Sequence, residues 1–276
     1  MTPAVATVVI PVFNGLHVTR PCFESVVRWT DLDHHRVLLV NDGSDHHTTE
    51  TLRSWALVSP SISLMENGRN IGFVKSCNRA FEAAESEFVV VLNSDTCVTP
   101  RWLVKLVDCM RNDPSIALAS PLTNFGEPLA IPVSPGLDYV AMNALLEDIW
   151  DGSYPDIPTI NGFCMMVRAS VLNTIGAFDL VFRTGYGEES DLSMRANYFG
   201  YRTVCSPNTY VYHRGRGTFG QSRRNRENIP NKKIFQDRWK PLYLQRLGDF
   251  TEQNPLGNLI LRVALHVPEL TSAIRR

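Results

Sequence analysis

The chain has 276 residues, 44% of them hydrophobic and 20% charged, and a formal net charge of −1. That length buries a substantial core in one large domain or two small ones, and the near-neutral charge excludes wrapping nucleic acid, which needs a strong basic excess. No basic segment with an apolar core opens the sequence and no apolar run approaches the ~20 residues that cross a bilayer, so we expect a cytosolic protein without secretory signal or membrane span. The six cysteines (Cys22, Cys77, Cys97, Cys109, Cys164, Cys205) form no CxxC pair and read as reduced core thiols.

The first half alternates short β-branched runs with amphipathic stretches. Val5 to Val12 is nearly continuous in apolar residues, as a strand buried on both faces requires. A helical stretch follows over His17 to Trp29, then a second buried strand over Val37 to Val40. That strand ends in Asn41-Asp42-Gly43-Ser44, a turn with helix-capping character. Thr48 to Val58 reads as a helix, Ile62 to Met65 as a short strand and Phe73 to Glu85 as a helix. Phe88 to Leu92 is the strongest strand and stops at Asn93-Ser94-Asp95; Pro100 to Arg111 is a helix with proline in its first turn. Such alternation predicts an α/β fold, a Rossmann-like, mostly parallel sheet flanked by helices. In such sheets ligands bind outside the carboxyl ends of the strands, where Asn14, Asp42 and Asp95 all fall.

Pro121 to Pro158 is rich in proline and glycine, and we expect an irregular connection with one helix near Tyr139 to Trp150. Regular signals resume at Thr159 to Arg168. A helix over Asp191 to Phe199 and strand-like runs at Tyr201 to Cys205 and Thr209 to Tyr212 follow. From Arg214 to Lys240 nine basic residues stand against two acidic ones, Glu227 and Asp237. The tail from Asn254 to Arg276 carries Leu256, Leu259, Ile260, Val263 and Val267 at helical spacing. A solvated helical arm is the simpler reading of both segments; contact with an anionic membrane or a lipid-linked acceptor is the alternative.

GxGxxG and P-loop patterns are absent, which disfavours NAD enzymes and P-loop ATPases. Asp42 can accept a hydrogen bond from the imide N–H of uracil or thymine, although Asp-Gly after a strand is by itself a turn. Asp95 offers the hard oxygen that magnesium or manganese takes, and a divalent cation stabilises the charge a diphosphate gains as the bond to it breaks. Taken alone, Asn93-Ser94-Asp95 is equally well explained as a helix N-cap before Thr99-Pro100. Gly185-Tyr186-Gly187 leads into Glu188, Glu189 and Asp191. One of these carboxylates can deprotonate an attacking hydroxyl, or all three can simply favour a helix dipole. His213, in Tyr212-His213-Arg214-Gly215-Arg216, ends a strand and can join Asp95 on one metal, with Arg214 and Arg216 as a phosphate lid.

In this order the elements resemble glycosyltransferase family 2, with the GT-A fold, over roughly Ala4 to Trp239. The likeness leans toward the bacterial rhamnosyltransferase-like branch that builds cell-surface polysaccharide. Pro11-Val12-Phe13-Asn14 matches the strand end whose backbone lines the base pocket, and Val40 to Ser44 matches an Asp-Asp-Gly-Ser element, which implies Asp42 at the base. Asn67 to Phe73, including Asn70, Gly72 and Phe73, with Asn78 beyond, resembles the segment lining the nucleotide site. Asn93-Ser94-Asp95 takes the place of Asp-x-Asp; Asn93 departs from it and offers only a neutral amide, while Asp95 is the implied metal position. Tyr186 to Leu192 resembles the run that carries the base. Glu189 stands where the family usually has Asp and reaches one methylene further; it is the implied base, with Glu188 and Asp191 as alternates. His213 matches the metal-binding histidine, which implies Mn2+ or Mg2+ on Asp95 and His213. Gly162, in Asn161-Gly162-Phe163, resembles the acceptor side, where Glu188 and Asp191 are also expected; a bend in a core strand is the competing reading.

The resemblance implies a GT-A domain over 1–220, divided into a nucleotide-sugar half (1–98) and an acceptor half (99–220), and a basic helical extension over 221–276. The implied reaction moves a sugar from a UDP- or dTDP-sugar to a hydroxyl of a glycan or lipid-linked acceptor with inversion, in the cytoplasm and, if the arm touches membrane, at its inner face. Two rivals stand beside it. A non-catalytic nucleotide- or glycan-binding relative is suggested by Asn93 and Glu189 and opposed by Asp95, His213 and the acidic run. A sugar-phosphate nucleotidyltransferase needs a glycine-rich loop with a basic residue after the first strand, and that loop is missing.

Overall fold

A computed structural model describes residues 4–126, 129–133, 137–183, 185–215 and 221–267. In chain order the strands are β1 (Ala6–Val12), β2 (His35–Asn41), β3 (Ile62–Glu66), β4 (Phe88–Leu92), β5 (Thr96–Cys97), β6 (Ile116–Leu122), β7 (Cys164–Arg168), β8 (Arg202–Tyr210) and β9 (Tyr212–His213). The helices are α1 (Leu16–Trp29), α2 (His46–Ala56), α3 (Phe73–Ala83), α4 (Trp102–Asn112), α5 (Tyr139–Ile149), α6 (Ala169–Ile175), α7 (Glu188–Tyr198), α8 (Gln221–Gln253) and α9 (Gly257–His266). Seven strands form one sheet in the order β3-β2-β1-β4-β7-β6-β8, and β5 pairs with β9 in a second, small sheet.

β1 is parallel to β2 on one side and to β4 on the other, and β2 is parallel to β3. The chain runs outward from β1 to β3 and then returns to β4, so the β1/β4 boundary is the switch point where such sheets open a crevice. β7 runs antiparallel to both β4 and β6, while β8 is parallel to β6. Strands apolar at every position need cover on both faces. Val8, Ile10 and Val12 enter one core with Leu39, Val90 and Leu92, covered by α1, α2 and α4. Val9 enters the other with Val40 and Val91, covered by α3, α6 and α7. α3 shows how: Val74, Cys77, Ala80 and Phe81 are buried at three- to four-residue spacing, one stripe of the helix. Each large aliphatic side chain buried this way contributes roughly 1.5–3 kcal/mol.

The structure departs from the sequence reading in four places. β6 lies where the sequence offers no strand signal, since Ala117, Ala119, Ser120 and Pro121 have little strand propensity. Every residue of it is buried, and Pro121 sits at a register shift against β8, where a missing N–H is tolerated. α6 follows β7 directly and has only seven residues, too few for a periodic signature. β8 is one strand, not two, because the shift opposite Pro121 and Leu122 absorbs Pro207 to Thr209. Finally, α7 begins at Glu188, not Asp191, which puts all three carboxylates in its first turn.

The C-terminal helices are docked. α8 lays Ile234 and Phe235 against the second core. Leu256, Leu259, Val263 and Val267, on and beside α9, sink into a third cluster with Met142, Leu146 and Ile149 of α5. The apolar stripe of the tail is thus consumed by the fold, leaving Leu261 and Leu265 exposed. No helix among the described residues is long and apolar enough to cross a membrane.

Candidate active site

The small sheet brings together two residues remote in sequence. Thr96 lies opposite His213 and Cys97 opposite Tyr212, and this places His213 Nε2 3.3 Å from Asp95 Oδ1, both side chains largely buried. The imidazole stacks on Phe163 at 5.4 Å and 17° and meets Phe125 at 6.4 Å and 68°. Asn124 holds the His213 backbone from both sides: its Oδ1 accepts from the His213 N–H at 2.7 Å and its Nδ2 donates to the His213 carbonyl at 2.9 Å. The strand leading into His213 is locked by buried Lys105, whose Nζ donates to Asn143 Oδ1 (2.7 Å) and the Asn208 carbonyl (2.6 Å) and pairs with Glu147 (2.8 Å). Burial pulls the Lys105 pKa down to about 8 against the opposing pull of Glu147.

A carboxylate oxygen beside an imidazole nitrogen suits a divalent cation. Among the described residues, however, no group of three or more His, Cys, Asp or Glu side chains converges to hold one. The described residues therefore offer two ligands, Asp95 and His213, and a cation held there would draw its further oxygens from a bound diphosphate.

On the nucleotide side, β1 and β2 are tied at their carboxyl ends. Asn14, in a left-handed conformation at φ 58, donates its N–H to Ser44 Oγ at 2.9 Å and accepts the Asp45 N–H on Oδ1 at 2.8 Å. Asp42 is buried, and its carboxylate is already engaged. Oδ1 accepts from Asn67 Nδ2 (3.0 Å) and the Ile71 N–H (2.8 Å), and Oδ2 from the Gly72 N–H (3.0 Å). Asp42 thus ties the 67–72 loop to the end of β2 before it can touch any ligand, with acceptor capacity left on Oδ2. Gly43 permits the closure: at φ 72, a Cβ there would lie 2.3 Å from the Arg69 carbonyl carbon and 2.4 Å from Asn70 N. Asn70 is exposed, Gly72 buried and Phe73 half-buried at the start of α3. Asn78 is spent elsewhere. Its Nδ2 donates to the Phe178 carbonyl at 2.8 Å and its Oδ1 accepts the Phe178 N–H at 3.0 Å, so it bridges α3 to the chain before α7. Pro11 and Val12 sit in β1, with the Val12 side chain in the core, so their backbone is what they can offer a base. The Asn93 N–H donates to the Phe163 carbonyl at 2.8 Å, which sets Asn93, Ser94 and Asp95 beside Gly162.

The carboxylates lie in the first turn of α7, behind Gly185, Tyr186 and Gly187 at φ 119, 70 and 111. Glu189 Oε2 accepts the Gly187 N–H at 3.1 Å. Its side chain lies over Gly162, where an added Cβ would come within 3.4 Å of Glu189 Cγ. Glu188 is 5% exposed and its Oε2 has no hydrogen-bond partner among the described residues; burial first, and the charge of Glu189 second, push its carboxyl well above the usual range. Asp191 is wholly buried. Its Oδ2 accepts from Arg195 Nε at 2.9 Å, and its Oδ1 from Trp239 Nε1 at 2.7 Å and Arg238 Nη1 at 3.2 Å. Asn231 Nδ2 donates to the carbonyls of Gly185 (2.6 Å) and Phe182 (3.0 Å). Helix α8 therefore straps the carboxylate loop, and Asp191 is its anchor.

Arg214 is exposed beside the site, its N–H on the Asp95 carbonyl at 2.9 Å and its Nη1 on the His17 carbonyl at 3.3 Å; Arg216 lies outside the described residues. Asn124, Phe163, Asn231, Arg238 and Trp239 escape the sequence reading because they act through tertiary contacts that leave no spacing. Asn124 is further hidden in the proline- and glycine-rich stretch, whereas Phe163 could have been found as the neighbour of Gly162.

The sequence profile of "Glycosyl transferase family 2" matches residues 7–176. The N-acetylglucosaminyl-diphospho-decaprenol L-rhamnosyltransferase of Mycobacterium tuberculosis is 26% identical over 205 residues, 64% of this chain and 66% of that protein. The uncharacterised glycosyltransferase YkcC of Bacillus subtilis is 24% identical over 124 residues, 44% of this chain and 38% of that protein. The chain thus spans less than two thirds of the length of these curated relatives. GalNAc-T7 with UDP, GalNAc and Mn2+ superimposes with a TM-score of 0.66 at 17% identity, covering 87% of this chain and 49% of that one. Mannosyltransferase PcManGT from Pyrobaculum calidifontis, in complex with GDP-Man and Mn2+, gives 0.57 at 18% identity, covering 97% and 82%. These likenesses identify the fold as GT-A. The profile covers Asp42, Asp95 and Gly162 and stops short of Glu189 and His213. Because the match takes in more than half of the residues, the chain belongs to glycosyltransferase family 2.

Proposed function

We propose that this family 2 glycosyltransferase is metal-dependent and inverting, and transfers a hexose or deoxyhexose from a UDP- or dTDP-sugar to a hydroxyl of a glycan or lipid-linked acceptor in cell-surface polysaccharide synthesis. The observation that carries the reading is the convergence of Asp95 and His213, 3.3 Å apart, with Gly162 against Glu189 in the first turn of α7, next to the β1/β4 crevice. The nucleotide lies between the Pro11 to Asn14 backbone and the 67–73 loop, with Asp42 Oδ2 taking the imide N–H and Asn93 and Ser94 beside the ribose and diphosphate. When bound on Asp95 and His213, Mn2+ or Mg2+ supplies positive charge against the leaving diphosphate. Arg214 and Arg216 add guanidinium donors to the phosphates.

Glu189 takes the proton of the acceptor hydroxyl, and that oxygen attacks the anomeric carbon opposite the diphosphate, so configuration inverts. Glu188 is a poor base because its carboxyl is buried away from an acceptor and burial holds its pKa well above the usual range, and Asp191 because three donors already occupy it. Gly162 lets the acceptor approach the backbone. The UDP and Mn2+ bound by GalNAc-T7 support the donor class and the metal, the GDP-Man and Mn2+ of PcManGT support a nucleotide-sugar donor with a metal more broadly, and the rhamnosyltransferase relative supports a deoxyhexose and a lipid-linked acceptor. We assign donor binding to 1–98, acceptor binding to 99–220, and to 221–276 a basic extension that braces the carboxylate loop. The reaction belongs in the cytoplasm, at the inner membrane face where the acceptor is lipid-linked.

The test is transfer from UDP- and dTDP-sugars to a polyprenyl-diphosphate-linked sugar, with Mn2+ or with chelator. Metal-dependent product of inverted anomeric configuration by NMR, lost in Glu189→Gln, is expected. Retained configuration, or transfer indifferent to chelator, would overturn the mechanism.

A further inference from the structure

Phe125 leaves 49% of its surface exposed beside the Asp95 and His213 pair. A single exposed phenylalanine needs no explanation on a protein surface, but this one is held in place from three directions. The preceding Asn124 is bonded through both atoms of its amide to the His213 backbone. The following Gly126 accepts, on its carbonyl, Asn161 Nδ2 at 3.2 Å, and Asn161 precedes Gly162. Gly215, at φ 53, lies against the ring, where a Cβ would meet Phe125 Cδ1 at 3.4 Å and Cε1 at 3.7 Å. The loop thus runs from the metal-ligand candidate to the glycine under Glu189 and carries a fixed, half-open aromatic ring between them. Phe163, the other ring on His213, is 4% exposed and has no surface to offer.

We propose that Phe125 is a stacking platform for the apolar face of a pyranose ring, belonging to the donor or to the acceptor. Both sugars present a face of C–H groups, which the electron-rich face of an aromatic ring attracts, and covering the open half of Phe125 removes apolar area from water on both partners. The carboxylates, histidine and glycine around it can bind hydroxyls and phosphates but offer no such wall. The proposal rests on the reading of Asp95 and His213 as the nucleotide-sugar site.

The experiment compares wild type, Phe125→Ala and Phe125→Tyr in Mn2+. Three quantities are measured: the Kd of UDP or dTDP without sugar, the Kd of the matching nucleotide sugar, and the KM for the acceptor. Phe125→Ala is expected to leave the sugar-free nucleotide within about twofold and to weaken one sugar-bearing ligand about tenfold, with Phe125→Tyr restoring it. Loss on the nucleotide sugar assigns the platform to the donor, and loss confined to the acceptor KM assigns it to the acceptor. No change in any of the three would overturn the proposal. So would an equal loss of sugar-free nucleotide and nucleotide sugar, since the ring would then only prop His213. Wild type that binds no nucleotide diphosphate with metal would overturn the functional reading itself, and this proposal with it.

Discussion

At the nucleotide side of the site, Asp42 follows β2 directly, Asn93 and Asp95 follow β4, and the tie to the 67–72 loop spans a few tens of residues. At the carboxylate side, Glu189 follows three consecutive residues of positive φ, Gly185 to Gly187, one of them Tyr186, and its loop is held by Asn231, Arg238 and Trp239 of α8. A non-glycine residue at positive φ costs about 1 kcal/mol or more, and persists where surrounding contacts over-determine it. The nucleotide half is placed by local chain geometry, the reacting half by tertiary bracing. Damage to the first should therefore appear in nucleotide binding, damage to the second in turnover.

The largest effect is expected at Glu189. Glu189→Gln should lower transfer by about 10²–10⁴-fold with the Kd of nucleotide unchanged, by steady-state kinetics beside calorimetry; an equal loss of both would erase the division of labour. His213→Ala should weaken Mn2+-dependent nucleotide binding more than Asn124→Ala, which loosens the histidine without removing it and should cost about tenfold. Gly43→Ala forces a methyl into the Arg69–Asn70 backbone at a positive φ and should cost about 2–4 kcal/mol in chemical denaturation, with nucleotide binding weakened in the fraction that folds. Trp239→Phe removes one donor from buried Asp191. It should cost about 1–3 kcal/mol and lower kcat while nucleotide Kd holds.

The smallest effect is a pH dependence. Glu188 has a folded pKa above its unfolded value near 4.5. The stability it contributes is fully present below that value and is lost as pH rises through the folded pKa. Glutamine carries no such loss, so the Tm advantage of Glu188→Gln over wild type should grow as pH rises from 4.5. A constant difference across that range would mean that Glu188 ionises normally.

The same contrast explains what could be read without coordinates. β1 to β4 announce themselves because strands buried on both faces must be apolar throughout, and the polar residues that end them mark the crevice. Asp42 and Asp95 were legible for that reason, though not the three donors on Asp42. His213 was expected beside Asp95, but the two strands that pair them, β5 and β9, have two residues each and are too short for any pattern to show. Asn78 and Asp191 look like ligand residues by position, yet hydrogen bonds to Phe178 and to α8 occupy them. The tail's apolar spacing was visible; its partner, α5, was not, since nothing in a helical stripe says what it will pack against.

The central claim is tested most directly by calorimetric titration of UDP and dTDP, with and without Mn2+, into wild type and Asp95→Ala. Binding should require metal, prefer one of the two bases and disappear in the variant. Binding of neither diphosphate under any metal condition, or equal binding by Asp95→Ala, would contradict it.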